Sequence, residues 1–243
     1  MLRGLGMKEV FAAFAKALRD MARAEVLWHA IWPPVLALAA WVAVAFSVWA
    51  DGVALMAHIV PQLPWTGWGW VSQWAAIFLL LAAFVALTYF SVVFLVAVFA
   101  LPRLISLVAA RDYPDLGRHG ENVFWGSLAN TLGAGAIFVV GALAMLPLLL
   151  IPGALLVLPL LWGGWLNQRT FRFDALAEHT TAMEMERLAR ENRSRFLFAG
   201  LGTAAVAYVP LANLLAPVFT ALVFVHLGLA ALRRQRQEAG IAL

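Results

Sequence analysis

The chain's 243 residues are 64% apolar and 12% charged, with a mean hydropathy of +0.87, whereas a soluble domain carries roughly twice that charged share. This excludes a disordered chain and an ordinary soluble enzyme, and the absence of cysteine excludes a disulfide framework, a thiolate nucleophile and any cysteine-held metal. The formal net charge of +4 is gathered into four basic clusters: Lys8 to Arg23, Arg103 to Arg118, Arg169 to Arg195 and Arg233 to Arg236.

Residues 1–28 read as an N-terminal amphipathic helix lying in the membrane interface. Val10, Phe11, Phe14, Leu18 and Met21 share one face, and Lys8, Lys16, Arg19 and Arg23 mostly the other. The following apolar run starts too late for a cleaved signal peptide. Residues 29–50 form the first span, opened by Pro33 and Pro34 where a first helical turn tolerates proline. No Lys or Arg occurs between residues 24 and 102. The polar connector 51–73, with Asp51, His58 and a tryptophan belt at Trp65, Trp68 and Trp70, is therefore placed outside, and both termini on the cytoplasmic side.

Residues 74–109 are a second long span that runs past the bilayer as one helix with a bend at Pro102. Residues 122–168 are uncharged and lie between two basic clusters, so the chain must enter and return. The reversal is marked by Pro147, Pro152-Gly153 and Pro159. Either a re-entrant hairpin or two full spans satisfies this pattern, and a tip at membrane depth requires surrounding protein or water. A charged cytoplasmic helix over 169–195 follows. Residues 196–232 then repeat the design, broken by Pro210-Leu-Ala-Asn213-Leu-Leu-Ala-Pro217. The fold class is thus an all-α integral membrane protein: two long transmembrane helices, two proline-broken helical hairpins, either re-entrant or fully crossing, and the amphipathic helix, in one membrane domain over 1–243. Paired broken hairpins are the pattern of transporters and channels that build a site from discontinuous helices.

Three passages carry a family resemblance: Asn167-Gln-Arg169-Thr-Phe-Arg172-Phe-Asp174-Ala-Leu-Ala-Glu-His179, the proline-bracketed run at Asn213, and Leu101-Pro-Arg103-Leu-Ile-Ser-Leu-Val. With the order of segments, they make the chain resemble the CysZ-like sulfate permeases, which share a domain with etoposide-induced protein 2.4. The resemblance implies a bacterial inner-membrane protein, often oligomeric, with two long helices and two partly penetrating hairpins, supporting sulfate uptake. One passage departs from the family. Its permeases carry a Pro-Gly-x-Arg-Arg-like turn before the first span's proline, and this chain reads Arg23-Ala-Glu25-Val-Leu-Trp-His29-Ala-Ile-Trp-Pro33. A doubly charged anion needs N–H groups or guanidinium forks in place of its water, so another solute, or a non-transporting scaffold or assembly role, stands as the alternative to sulfate.

The candidate solute or ion path comprises Arg103, Asn213, Asn167, Arg169 and Arg172. Arg103 either meets an anion or reaches headgroups, and Asn213 either offers its amide to a solute or caps freed backbone groups. Asp174, Glu178 and His179 read as a structural polar network, with a pH-sensitive gate at His179 the alternative. His226, alone in the last apolar arm, is expected to hydrogen-bond a neighbouring helix rather than a metal. No P-loop, zincin pair, dinucleotide turn or nucleophile–base motif occurs, so the chain is read as non-enzymatic with no cofactor. The arginines near 187–195 alternate with Glu184, Glu186 and Glu191, which suits a helix near anionic lipid and not a nucleic-acid stripe. The expected partners are the lipid bilayer, a small anion such as sulfate and further copies of the chain.

Overall fold

The computed structural model describes residues 2–60, 69–120, 123–209 and 212–241. The helices are α1 (Leu2–Met21), α2 (Ala24–Ile59), α3 (Gly69–Leu95), α4 (Leu101–Asp112), α5 (Val123–Met145), α6 (Ala154–Leu176), α7 (Ala182–Glu191), α8 (Arg193–Val206) and α9 (Ala212–Ala239). A π-helical turn, Val96–Ala100, joins α3 to α4, and a 3-10 turn, Leu146–Leu150, extends α5. No strand occurs among the described residues. Four helical segments are long and apolar enough to cross a membrane: Ala24–Ile59, Gly69–Asp112, Trp125–Leu148 and Leu215–Ala239. The chain is an all-α membrane protein. Its contacts divide into two compact units, Trp28–Ala100 and Met1–Leu27 with Leu101–Leu243.

In the first of these units α2 and α3 meet antiparallel through long side chains. The Trp41 indole N–H donates to Ser91 Oγ at 2.9 Å, its ring meets Phe84 edge-on at 6.0 Å, and Gly52 leaves room for Leu80. Helix α2 begins at Ala24 and carries Pro33 and Pro34 inside it, so the prolines do not open the span as the sequence suggests. An apolar environment keeps the helix intact at the cost of two i→i−4 bonds. The helix also runs through 51–59, read from sequence as connector, and is interrupted at Val48 (φ −121°, ψ 15°). The Ser47 hydroxyl just before that kink donates back to Ala43 O at 3.0 Å, a bond that commonly bends helices. The tryptophan belt at Trp65 and Trp68 lies outside the described residues. The π-helical turn ends two residues before Pro102, whose missing N–H and bulky ring disrupt the preceding ladder. The bend expected at Pro102 is thus accommodated as a widened turn at Val96–Ala100.

The second unit is built around α9. Its membrane-length stretch is 78% buried, against 11%, 18% and 6% for the other three, so α9 is a core helix whose lining is protein, while the others present their apolar side chains outward. Two hairpins, α5–α6 and α8–α9, lie side by side. Gly163, Gly164 and Gly200 let α6 and α8 approach closely: a Cβ on Gly200 would stand 2.3 Å from Gly164 O. Small residues at such crossings are the usual means of close helix packing in membranes. Tyr208, at the second tip, donates to Leu156 O near the first tip at 3.2 Å, so both tips lie at one end of the unit. The first tip turns on Gly153 at φ 83°, a conformation glycine adopts without penalty. Helix α8 has 14 residues, or about 21 Å, short of a hydrocarbon core of roughly 30 Å.

Three sequence boundaries move. Helix α1 ends at Met21, followed by a turn at Ala22 and Arg23, so residues 1–28 are not one helix. Its buried face is Val10, Ala13, Ala17 and Asp20, while Phe11 and Leu18 are exposed. Phe14 meets Phe219 of α9 edge-on at 5.8 Å, so protein covers the Val10 and Phe14 side of the face assigned to lipid and leaves Phe11 and Leu18 outward. The small Ala13 and Ala17 permit that approach, which a pattern of large apolar residues does not reveal. Residues 169–195 are not one helix either: 169–176 complete α6, and α7 restarts behind a capping box in which Thr181 Oγ1 accepts from Glu184 N–H and Glu184 from Thr181 N–H. The second hairpin's arms extend outward to Arg193 and Ala239.

Candidate functional site

Opposite the hairpin tips, ion pairs draw the four basic clusters of the sequence to one end of the second unit. Glu9 of α1 pairs with Arg195 of α8 at 3.0 Å and with Arg234 of α9. Arg233 pairs with Asp115 beyond α4, and Arg236 with Glu184 of α7 at 3.0 Å. Two groups of polar side chains sit above this layer, and a third belongs to the layer itself.

The first group lies where α6 passes α5 and α8. Asn167 Nδ2 donates to Thr203 Oγ1 of α8 at 3.3 Å. One turn on, Arg172 places its guanidinium 5.7 Å from the Phe196 ring centroid and donates to Gln168 Oε1 at 3.0 Å. Arg169 lies 5.7 Å from the Trp165 ring, and Trp165 itself stacks on Trp162 at 4.9 Å. Asn130 of α5 donates to Arg169 O at 3.3 Å. The Nε of both arginines is buried without a hydrogen-bond partner. Burial, and then the neighbouring charge of Arg169, depress the pKa of Arg172. Of the path residues read from sequence, Arg169 and Arg172 lie three residues apart on neighbouring sides of α6, whereas Asn167 is turned to Thr203 of α8.

Asp174, placed by sequence in a network with Glu178 and His179, instead accepts a hydrogen bond from Ser127 of α5. Burial pushes its carboxyl up to about 6 against the opposing Ser127 bond. The unfolded carboxyl holds its proton less tightly, so stability is greatest below about pH 4, falls as pH rises toward about 6, and is level beyond. Roughly two pKa units correspond to on the order of 2–3 kcal/mol. Asp174→Asn is therefore expected to unfold at a higher temperature than the parent at pH 7 and to converge with it near pH 4; parallel melting curves at both pH values check this.

The second group joins α1, α4 and α9. His226 Nε2 meets Asp20 Oδ2 at 2.8 Å, and its Nδ1 lies 3.9 Å from Asp112 Oδ2. The Arg111 guanidinium bridges both carboxylates at 2.8 Å, and Arg23 reaches Asp20 at 3.1 Å. The Tyr113 hydroxyl donates to His226 O at 3.1 Å beneath the Arg233 guanidinium, 4.7 Å from the ring. Burial pushes the Tyr113 phenol up to about 12, with Arg233 opposing. Asp20, Asp112 and His226 offer donor atoms within 4.8 Å of one another. Arg111 already supplies the compensating cation, however, and the two imidazole nitrogens face different carboxylates. A metal ion would have to displace Arg111, so the set is better suited to an ion-paired latch. The neighbouring-helix bond expected of His226 is present, but Asp20, its partner, escaped sequence reasoning. The available signal was a carboxylate on the edge of the apolar face of α1.

The third group is a clamp. Arg236, 2% exposed, donates through Nη2 to His179 O at 2.7 Å and meets His119 Nδ1 at 3.3 Å. Burial raises the Glu184 carboxyl's pKa, but Arg236 and the Thr181 N–H outweigh it and hold the group below its ordinary value. His179 Nδ1 faces Gly117 O at 3.4 Å, and Gly120 N–H donates to Glu178 O at 3.1 Å. Burial depresses the His179 pKa. Glu178 and His179 thus tie the loop after α4 to α9, without Asp174.

Arg103 and Asn213 join none of these groups. Arg103 is on the exposed side of α4, its carbonyl accepting from Ser106 Oγ at 3.0 Å. Asn213 is exposed in the first turn of α9, its N–H bonded to Val209 O at 3.1 Å; Pro210, which precedes it, lies outside the described residues.

A family model described as "Sulfate transporter CysZ/Etoposide-induced protein 2.4" matches residues 13–217. No curated protein matches the chain.

Proposed function

The chain belongs to the CysZ/etoposide-induced protein 2.4 family, and from that premise we propose that it is an inner-membrane permease for small anions, with sulfate the leading solute. The observation that carries this reading is the arginine pair on α6, Arg169 and Arg172, placed where two broken hairpins pack and left with buried Nε–H groups that have no hydrogen-bond partner among the described residues. A positive charge at such a crossing attracts an anion and excludes cations. Passage is passive or coupled to a gradient, because no nucleotide-binding motif occurs in the sequence.

The gathering of the basic clusters at one end supports an orientation with that end, and both termini, in the cytoplasm of a bacterial cell. Hairpin tips at membrane depth need neighbouring protein around their backbone, which supports assembly of several copies. The test is uptake of radiolabelled sulfate by proteoliposomes of the purified protein. Uptake several-fold above empty vesicles, competed away by excess unlabelled sulfate, is the expected result. Background uptake by folded protein removes sulfate permeation, and the scaffold role then stands in its place.

A further inference from the structure

Both acids of α1 are turned into the protein. Glu9 is held by Arg195 and Arg234, and Asp20, 2% exposed, is held by Arg23, Arg111 and His226. Lys16 leans over the Tyr113 ring, 5.8 Å from its centroid. Lys8 and Arg19 are exposed and form no ion pair among the described residues. The outward side of α1 is therefore apolar and cationic, with its acids drawn away.

Phe11 is 67% exposed and Leu18 68%. With Ala15 they recur at i, i+4 and i+7, one strip along the helix. Lys8, Ala15 and Arg19 share the adjoining line, at seven- and four-residue steps, so the two cations edge the strip on one side. Phe14, packed on Phe219, edges it on the other. Large apolar side chains exposed in a row mark a contact surface, and two observations say what covers this one. Only two residues separate Met21, the end of α1, from Ala24, where a helix of membrane-crossing length begins. The bordering cations lack a protein counter-charge, and lipid headgroup phosphates supply one while the apolar strip enters the acyl boundary.

We infer that Phe11, Ala15 and Leu18 form an insertion edge for an anionic lipid surface, with Lys8 and Arg19 meeting headgroup phosphates. Helix α1 is then a wedge with two apolar sides, Val10, Ala13, Phe14 and Ala17 on protein and Phe11, Ala15 and Leu18 on lipid. The contact differs from that of a helix lying freely in the interface, where the whole face centred on Phe14 would enter lipid. It is independent of the solute carried and goes beyond the permease reading.

The test places the full chain in nanodiscs of phosphatidylcholine alone and of phosphatidylcholine with phosphatidylglycerol in equal parts. The chain has no cysteine, so Phe11→Cys, Leu18→Cys, Ala12→Cys and Met183→Cys each carry one nitrobenzoxadiazole label. Ala12 and Met183 are exposed positions off the strip and serve as controls. Quenching by bromolipid is read at low and at high salt. Labels at 11 and 18 are expected to be quenched about two- to fivefold more in the anionic discs than in neutral ones, with little change at 12 and 183. High salt, or Lys8→Gln/Arg19→Gln introduced beside Leu18→Cys, should remove most of that difference. Melting curves confirm folding, and the salt arm on the parent side chains carries the test where the glutamine variant is impaired. Quenching at 11 and 18 that matches the controls overturns the lipid edge. Equal quenching in both kinds of disc overturns its preference for anionic headgroups. Energy transfer between labels of two chains at position 18, with no bromolipid quenching, gives the strip to a second copy and also overturns the inference.

Discussion

A Gly200→Ala protein is expected to lose about 3 kcal/mol of stability, while Gly163→Ala, one helix across, stays near the parent. At Gly200 the added carbon would stand 2.3 Å from Gly164 O, 3.0 Å from Gln168 Cβ and 3.2 Å from Gln168 N. Two of these are backbone atoms, so no side-chain rotation relieves the clash. The hairpins must separate by most of an ångström, and forced overpacking of this kind costs roughly 1–3 kcal/mol before secondary losses. Here the Asn167–Thr203 bond and the aromatic seat of Arg172 on Phe196 are lost as well. At Gly163 the added carbon meets Ala204 Cβ at 3.8 Å, an ordinary contact. Melting temperature in detergent, measured on both proteins, checks the contrast. Equal behaviour of the two variants contradicts the close crossing of α6 and α8.

The second large effect is expected at the latch between α1 and α9. Asp20→Ala removes the acceptor for His226 and one of two acceptors for Arg111, leaving buried polar groups without partners. Breaking a buried pair from one side costs about 3–5 kcal/mol. Adding His226→Ala should then cost less than the same change in the parent, because the two side chains act on each other; coupling on the order of 1–3 kcal/mol is expected in the double-mutant cycle. Denaturant titration of the four proteins reads it. Limited proteolysis adds a second readout: loss of the latch should speed cleavage at the turn bearing Arg23. Strictly additive losses and an unchanged cleavage rate would show that α1 is held by its apolar face alone.

Much of the architecture is legible in the sequence because it depends on local or nearly local signals. Pro152-Gly153 marks the first tip and charge-free runs mark the spans, while the Thr181–Glu184 capping pair, equally local, is passed over when 169–195 is read as one helix. Boundaries failed where the cause is tertiary. Pro33 and Pro34 read as a helix start, yet α2 continues through them. The break at Ala22 and Arg23 follows from Asp20 being drawn to residues far along the chain. The closeness of Arg169 and Arg172 was within reach, since three-residue spacing makes them neighbours on one helix, and the same rule turns Asn167 away from Arg169. That Arg103 and Asn213 stand apart from them was not, because their positions depend on which face of α4 and α9 meets the rest of the unit. The aromatic seats at Trp165 and Phe196 show the same division, one within four residues of its arginine and the other in the next hairpin.

The latch also sets an order of events during synthesis. Asp20 and His226 are separated by 206 residues, and Glu9 and Arg234 by 225. At about 5–20 residues per second, a ribosome needs roughly 10–40 s between making α1 and making the helix that receives it. For that interval Val10, Ala13, Phe14 and Ala17 lack the helix that covers them in the folded unit. Helix α1 is seated only after α9 has been made. A nascent chain stalled before residue 212 carries an unlatched α1, with its buried face still uncovered, so seating of α1 reports that α9 has been made.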